Sequence, residues 1–239
     1  MSKKVIIMIS EGRSGTNGVY RHLFANTLSK TEPFKDIPTD KKSIFKRKLL
    51  ANMSTFEKAK IIHIKPSHMW ANHVCKTSKL EYNDFVDACI ECGIHNFIVI
   101  RRNNILARLA SDPKCDVNYK KLIEIKSNKL ASKLKKGHIY EDKITKYIKS
   151  KQCNLVELIY ENHIKKDVTI ACRLITKTFT WLPLLYKNYT ETKDDTRKLK
   201  SFQQNNNLLD KRPLHKRISN VDEIIPILEK HNAMWMLEK

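Results

Sequence analysis

An α/β fold, a mostly parallel sheet flanked by helices, is predicted by three features of this 239-residue sequence. Four short apolar runs, Val5–Ile9, Ile61–Ile64, Asn96–Ile100 and Leu155–Ile159, have the near-continuous hydrophobicity of strands covered on both faces. Stretches with helical periodicity lie between them, so strands alternate with helices as in βαβ units. Three of the five glycines, Gly12, Gly15 and Gly18, stand directly after the first run. Ligands of such sheets gather at the carboxyl ends of the strands, and the glycine cluster falls at one of them.

The elements follow in order. Val5–Ile9, preceded by Met1-Ser2-Lys3-Lys4, is shorter than a signal-peptide core and lacks a small-residue cleavage site, so it reads as the first strand. Ser10–Gly18 is a tight loop leading into a helix near Val19–Leu28, and a second helix is expected over Ser43–Lys58. Ile61–Ile64 is stopped by Pro66. Asn83–Cys92 carries one apolar helical face through Tyr82, Phe85, Val86, Cys89 and Ile90. After Asn96–Ile100 come helices near Ile105–Ser111, Leu122–Lys135 and Glu141–Lys149, then the strand Leu155–Ile159 and a long helix over Val168–Tyr186. Residues 190–217 read as an irregular surface loop, followed by Asn220 as the N-cap of a terminal helix from Val221 toward Leu228. No internal repeat or linker is visible, so residues 1–239 are expected to form a single domain.

Composition narrows the class. With 41% hydrophobic and 30% charged residues the chain is globular, and no segment approaches the roughly 18 apolar residues of a membrane span. The six cysteines form no disulfide framework; Cys89 and Cys92 have metal-like spacing but no second pair, and they fall on an apolar helical face. They read as core thiols of a reducing compartment, which points to the cytoplasm. The formal net charge of +21 attracts polyanions, whether nucleic acid, anionic membrane or a highly charged small cofactor.

The chemistry concentrates in a few segments. Glycines in Ser10-Glu11-Gly12-Arg13-Ser14-Gly15-Thr16-Asn17-Gly18 allow positive φ and close backbone approach, so successive N–H groups converge on an anion beside a helix N-terminus. The loop lacks the Gly-Lys-Ser/Thr of a nucleoside-triphosphate P-loop, and its cation is Arg13. Arg101 and Arg102 leave the third strand, with Ser111 at the end of the following helix, and a guanidinium fork with a hydroxyl can grip a terminal phosphate from two sides. Lys65 and His68 flank the turn made by Pro66 and Ser67, where a histidine titrating near neutrality suits a general base. His63 lies within the strand run and is a weaker candidate.

Gly12-Arg13-Ser14-Gly15-Thr16 after a first strand resembles the phosphosulfate-binding loop of the sulfotransferases that use PAPS (3′-phosphoadenosine 5′-phosphosulfate). The resemblance extends to the Arg…Ser pair, to the Lys65–His68 turn, to the strand end Tyr160-Glu161 and to the basic segment Lys216-Arg217, and so spans residues 5 to 220. It implies a P-loop NTPase-like sulfotransferase architecture, and gives Gly12, Arg13, Ser14, Gly15, Thr16 and Asn17 the phosphosulfate. Arg101 or Arg102 with Ser111 would take the 3′-phosphate; Ser111 stands nine positions after Arg102, one more than the family's usual spacing of eight. Lys216 and Arg217 match a basic loop that closes over the adenosine phosphate. His68, or Glu11 beside the loop, would be the base, Lys65 its neighbour in the turn, and Arg13 would stabilise the leaving phosphate, with no metal. Tyr160-Glu161 is read as structural. Thr31–Lys60 and Asp112–Lys151 match nothing and would shape the acceptor pocket.

The expected activity is in-line transfer of a sulfuryl group from PAPS to a small-molecule or glycan hydroxyl acceptor, leaving PAP, the adenosine 3′,5′-bisphosphate. No nucleic-acid partner and no integral membrane segment are expected, and the sequence does not set the oligomeric state. A P-loop small-molecule or nucleotide kinase is the alternative, opposed by the absent Gly-Lys-Ser/Thr and by the lack of a metal-binding carboxylate at a strand end. A basic nucleic-acid-binding module is the second, opposed by the 8% aromatic content and the absence of a groove-reading motif.

Overall fold

The computed structural model describes residues 4–11, 19, 29–31, 42–54, 60–65, 80–111, 122–182 and 213–238. Its elements run β1 (Val5–Ser10), β2 (Ser29–Thr31), α1 (Lys42–Ser54), β3 (Lys60–Ile64), α2 (Tyr82–Glu91), β4 (Asn96–Arg101), α3 (Ile105–Ala110) and α4 (Ser127–Lys136). They continue with α5 (Ile139–Ser150), β5 (Asn154–Ile159), a π turn (Tyr160–Ile164), α6 (Val168–Thr178), α7 (Val221–Lys230) and two 3₁₀ turns, Leu214–Lys216 and Met234–Met236. Contacts gather into two compact units, one of Met1–Arg101 with His138–Tyr186, the other of Arg102–Gly137 with Lys187–Lys239.

The first unit is α/β, as expected. Its sheet has the order β2-β3-β1-β4-β5 with every neighbouring pair parallel. All six residues of β1 are buried, because a central strand of a parallel sheet is covered on both faces. Val5, Ile7 and Ile9 enter one apolar cluster with Phe45, Phe85, Val99 and Ile144; Ile6 and Met8 enter another with Ile98, Leu158 and Ile175. Each fully buried aliphatic side chain contributes about 1.5–3 kcal/mol. At the edge, β5 reverts to alternation, with Val156 and Leu158 buried and Glu157 outside. At the amino ends, the Asn96 amide donates to the Val5 carbonyl and accepts from the Asn154 amide, a polar ladder across three strands. Cys89 and Cys92 are buried thiols in the first cluster, as the apolar face of α2 requires.

The second unit packs α3, α4, α7 and the two 3₁₀ turns around Leu106, Leu130, Leu214, Ile224 and Met236. Asn104 caps α3 by accepting the Ala107 N–H at 2.7 Å, and its amide donates to the Met236 carbonyl. Gly137 ends α4 at φ +51° and ψ −130°, a backbone conformation open in practice to glycine alone.

Several boundaries differ from the sequence reading. The helix expected over Leu122–Lys135 begins only at Ser127. Upstream, Ile123 and Ile125 are buried two residues apart while Leu122 is 54% exposed, and Ile123 forms a parallel bridge with Ile218. The segment is extended, and a period of two was hidden inside an apparent helical face. The helix expected over Val168–Tyr186 stops at Thr178, where Thr176 and Thr178 turn their hydroxyls back on the Cys172 and Leu174 carbonyls, and Phe179 and Leu182 reach the core from a turn. Asn220 precedes α7 but makes no side-chain cap; its amide instead clasps the Ile125 backbone from both sides. The short edge strand β2 carries no apolar pattern and was not expected. Of the helix near Val19–Leu28 only Val19 is among the described residues, buried in the second cluster.

Candidate functional site

In the first unit the chain runs from β1 out to the edge strand β2, steps back to β3 and then passes β1 to β4, so β1 and β4 are neighbours whose onward connections leave in opposite directions. Ligands of open α/β sheets bind outside the carboxyl ends at such a point. Glu11 follows β1 directly and is half-buried; the six candidate residues Gly12, Arg13, Ser14, Gly15, Thr16 and Asn17 come next and lie outside the described residues, as does His68. Lys65 follows β3, the other neighbour of β1, and is half-buried.

Arg101, the last residue of β4, is committed elsewhere. Phe97 and Val99 belong to the cluster containing Ile144 and Ile148 of α5, and alternation along β4 sends Arg101 to that same side. There its guanidinium pairs with Asp142, hydrogen-bonds Thr145 Oγ1 at 3.0 Å and the Glu141 carbonyl at 3.4 Å, and meets Glu157 at 3.3 Å. Glu157 also pairs with Lys149 at 2.5 Å. Two carboxylates already offset the charge that a phosphate would need.

The π turn lies past the carboxyl end of β5. It closes through the Lys165 N–H on the Tyr160 carbonyl at 2.7 Å, and π turns often mark functional positions. The Ile159 N–H at the end of β5 donates to His163 Nδ1 at 2.8 Å and so ties the turn to the strand. Tyr160 packs against the second apolar cluster, and Asp167 caps α6 through the Thr169 N–H.

Within the second unit Arg102 and Ser111 are both half-buried. Ser111 caps the end of α3 and donates its hydroxyl to the Ala107 carbonyl at 2.6 Å, which engages its proton. Lys216 is exposed; Arg217 is half-buried and its carbonyl accepts the Ile123 N–H at 2.7 Å.

One polar pair escaped the sequence reading. Ser10, the last residue of β1, and His63 of β3 are both buried, with Ser10 Oγ 2.8 Å from His63 Nε2. Ile61 faces the cluster of Ile6 and Met8, and Ile62 and Ile64 the opposite one, so His63 shares the face of Ile61. The signal was present: Ile61, His63 and Lys65 alternate with Ile62 and Ile64, and His63 stands one position before the end of the strand.

Among the described residues no helix is long and apolar enough to cross a membrane. The chain matches no family model, no curated protein and no solved structure.

Proposed function

We propose that this chain is a PAPS-dependent sulfotransferase of P-loop NTPase-like architecture, acting on a hydroxyl acceptor. The observation that carries the reading is the place of the glycine-rich segment in the topology. Residues 12–18 follow the central strand β1, whose other neighbour β4 is reached by the returning connection, where an open parallel sheet receives its ligand. The short loop with Arg13 in place of a P-loop lysine favours phosphosulfate over a magnesium-bound triphosphate.

The residues fit the cofactor unevenly. Lys65 brings a cation past β3 beside β1, and Arg13 brings another within the loop. Arg101 does not fit, because Asp142 and Glu157 hold it. With Arg101 committed, the resemblance leaves Arg102 and Ser111 for the 3′-phosphate, and Lys216 and Arg217 as its basic segment. When bound, PAPS supplies a sulfuryl group whose bond to the 5′-phosphate breaks as the acceptor oxygen bonds to sulfur. His68 takes the acceptor's proton, Glu11 being the rival base; Arg13 and the loop amides meet the charge that grows on the leaving phosphate, and Lys65 steadies the transferred group.

Calorimetric titration with PAP and with ATP tests the class. PAP is expected to bind about tenfold or more tightly than ATP, because a gripped 3′-phosphate contributes a charge-assisted contact that ATP lacks. Equal affinities with magnesium-dependent hydrolysis would replace this reading with a kinase. His68→Ala is expected to lose transfer and keep PAP binding; full turnover in that variant with a dead Glu11→Ala would move the base to Glu11.

A further inference from the structure

The polar pair at the end of β1 has no role in the chemistry above, yet its place is unusual. Ser10 and His63 are buried in a face otherwise made of Ile6, Met8, Val19, Ile61, Ile98 and Ile100. Enclosing a hydroxyl and an imidazole there costs desolvation that two aliphatic side chains would avoid, so stability alone gives no reason for the pair. The hydrogen bond is also not part of the sheet ladder. His63 lies opposite Met8 in the register, and its ring reaches diagonally, two residues further along β1, to Ser10. The bond thus ties the last residue of β1 to a residue one position before the end of β3.

Chain continuity gives the two strand ends their significance. One residue after Ser10 comes Glu11, and then the glycine-rich segment 12–18; two residues after His63 comes Lys65, and then Pro66, Ser67 and His68. Val19, just past the glycine segment, is buried in the same cluster. We propose that Ser10 and His63 are positioning residues, whose hydrogen bond sets the ends of β1 and β3, and with them Glu11 and Lys65, in one fixed relation at the point where the glycine-rich sequence 12–18 and the sequence Pro66-Ser67-His68 begin. The inference rests on the anion-loop part of the sulfotransferase reading and not on the identity of the nucleotide. Preorganised anion contacts gain their strength from being held in place before the ligand arrives, and a small shift in their support is felt as lost affinity.

The test compares Ser10→Ala and His63→Leu with Ser10→Thr and His63→Gln, which keep a hydroxyl and a side-chain amide at the same positions. Pyrophosphate and PAP are the probes, by titration, alongside thermal unfolding. The expected result is about a tenfold loss of pyrophosphate affinity in Ser10→Ala, recovery in Ser10→Thr and His63→Gln, and a double variant Ser10→Ala/His63→Leu no weaker than either single one. Unchanged affinity in Ser10→Ala with a lowered unfolding temperature makes the pair merely structural and overturns the inference. A wild-type chain that binds pyrophosphate, loses it in Ser10→Ala and shows no preference for PAP over ATP supports the inference and overturns the sulfotransferase reading. A wild-type chain that binds neither probe overturns both. If His63→Leu fails to fold, Ser10→Ala and Ser10→Thr decide alone, because they differ by a hydroxyl and a methyl group.

Discussion

Arg101 and Arg102 are neighbours in sequence with opposite expected phenotypes. Arg101 holds α5 and β5 to the end of β4 through Asp142, Thr145 and Glu157, and its side chain is only 19% exposed. Arg101→Ala leaves those acceptors without their cation and is expected to cost about 2 kcal/mol in denaturant unfolding, with PAP affinity unchanged. Arg102→Ala is expected to weaken PAP about thirtyfold more than AMP, which lacks the 3′-phosphate, since a charge-assisted phosphate contact contributes about 2 kcal/mol. Calorimetry with the two nucleotides checks this; the reverse pattern would return the phosphate to Arg101. That both arginines were candidates was legible in the sequence. Which one is already engaged was not, because Asp142 and Glu157 lie 41 and 56 positions away along the chain.

Helices α1 and α2 show how an element's end can be fastened from a distance. Glu91 closes α2 and meets Lys42 at 2.6 Å and Lys46 at 2.8 Å, one turn apart on α1, while the Phe45 and Phe85 rings pack at 5.1 Å beneath. Hydrogen bonds from Lys42 and then Lys46 pull the Glu91 carboxyl from its ordinary 4.5 down to about 2. A carboxylate depressed in the folded state contributes stability that is complete above its ordinary value and is lost as pH falls through the depressed one. Wild type is therefore expected to be more stable than Glu91→Gln above about pH 5, with the difference shrinking below 4.5 and vanishing near pH 2, as read by unfolding temperature across that range. A gap that is constant with pH would mean that the pair contributes through packing alone. Screening at these exposed positions keeps the effect small and makes it weaken in high salt.

At the scale of the whole molecule the dominant property is the charge of +21, carried by 46 Lys and Arg against 25 Asp and Glu. The lysines of α4 show how much of it is ordinary solvation. Leu130 is buried in the core of the second unit while Lys129, Lys135 and Lys136 are exposed, the two faces of an amphipathic helix. Replacing Lys129, Lys135 and Lys136 together by Glu is expected to shift stability by no more than about 0.5 kcal/mol per site and to leave PAP affinity within about twofold. A rise in the Michaelis constant of an acidic acceptor, erased by salt, would instead give this helix a part in recruiting substrate.

What the sequence determined by itself is what neighbouring residues can encode. The apolar runs of β1, β3, β4 and β5, the helical face of α2 and the glycines after β1 each record burial or backbone freedom within a few positions, and periods of two and 3.6 need no partner to be read. The parallel α/β class follows from their alternation. Only the tertiary structure decided the rest. Ile123 and Ile125 could be a helical or an extended face until Ile218 came to lie beside them, and β2 exists as a strand only because β3 offers it an edge. Arg101 looked available until α5 supplied Asp142 and Thr145, and His63 looked like one more strand residue until the register brought Ser10 within 2.8 Å. Each of these outcomes turns on which distant groups meet, and short-range pattern carries no record of that.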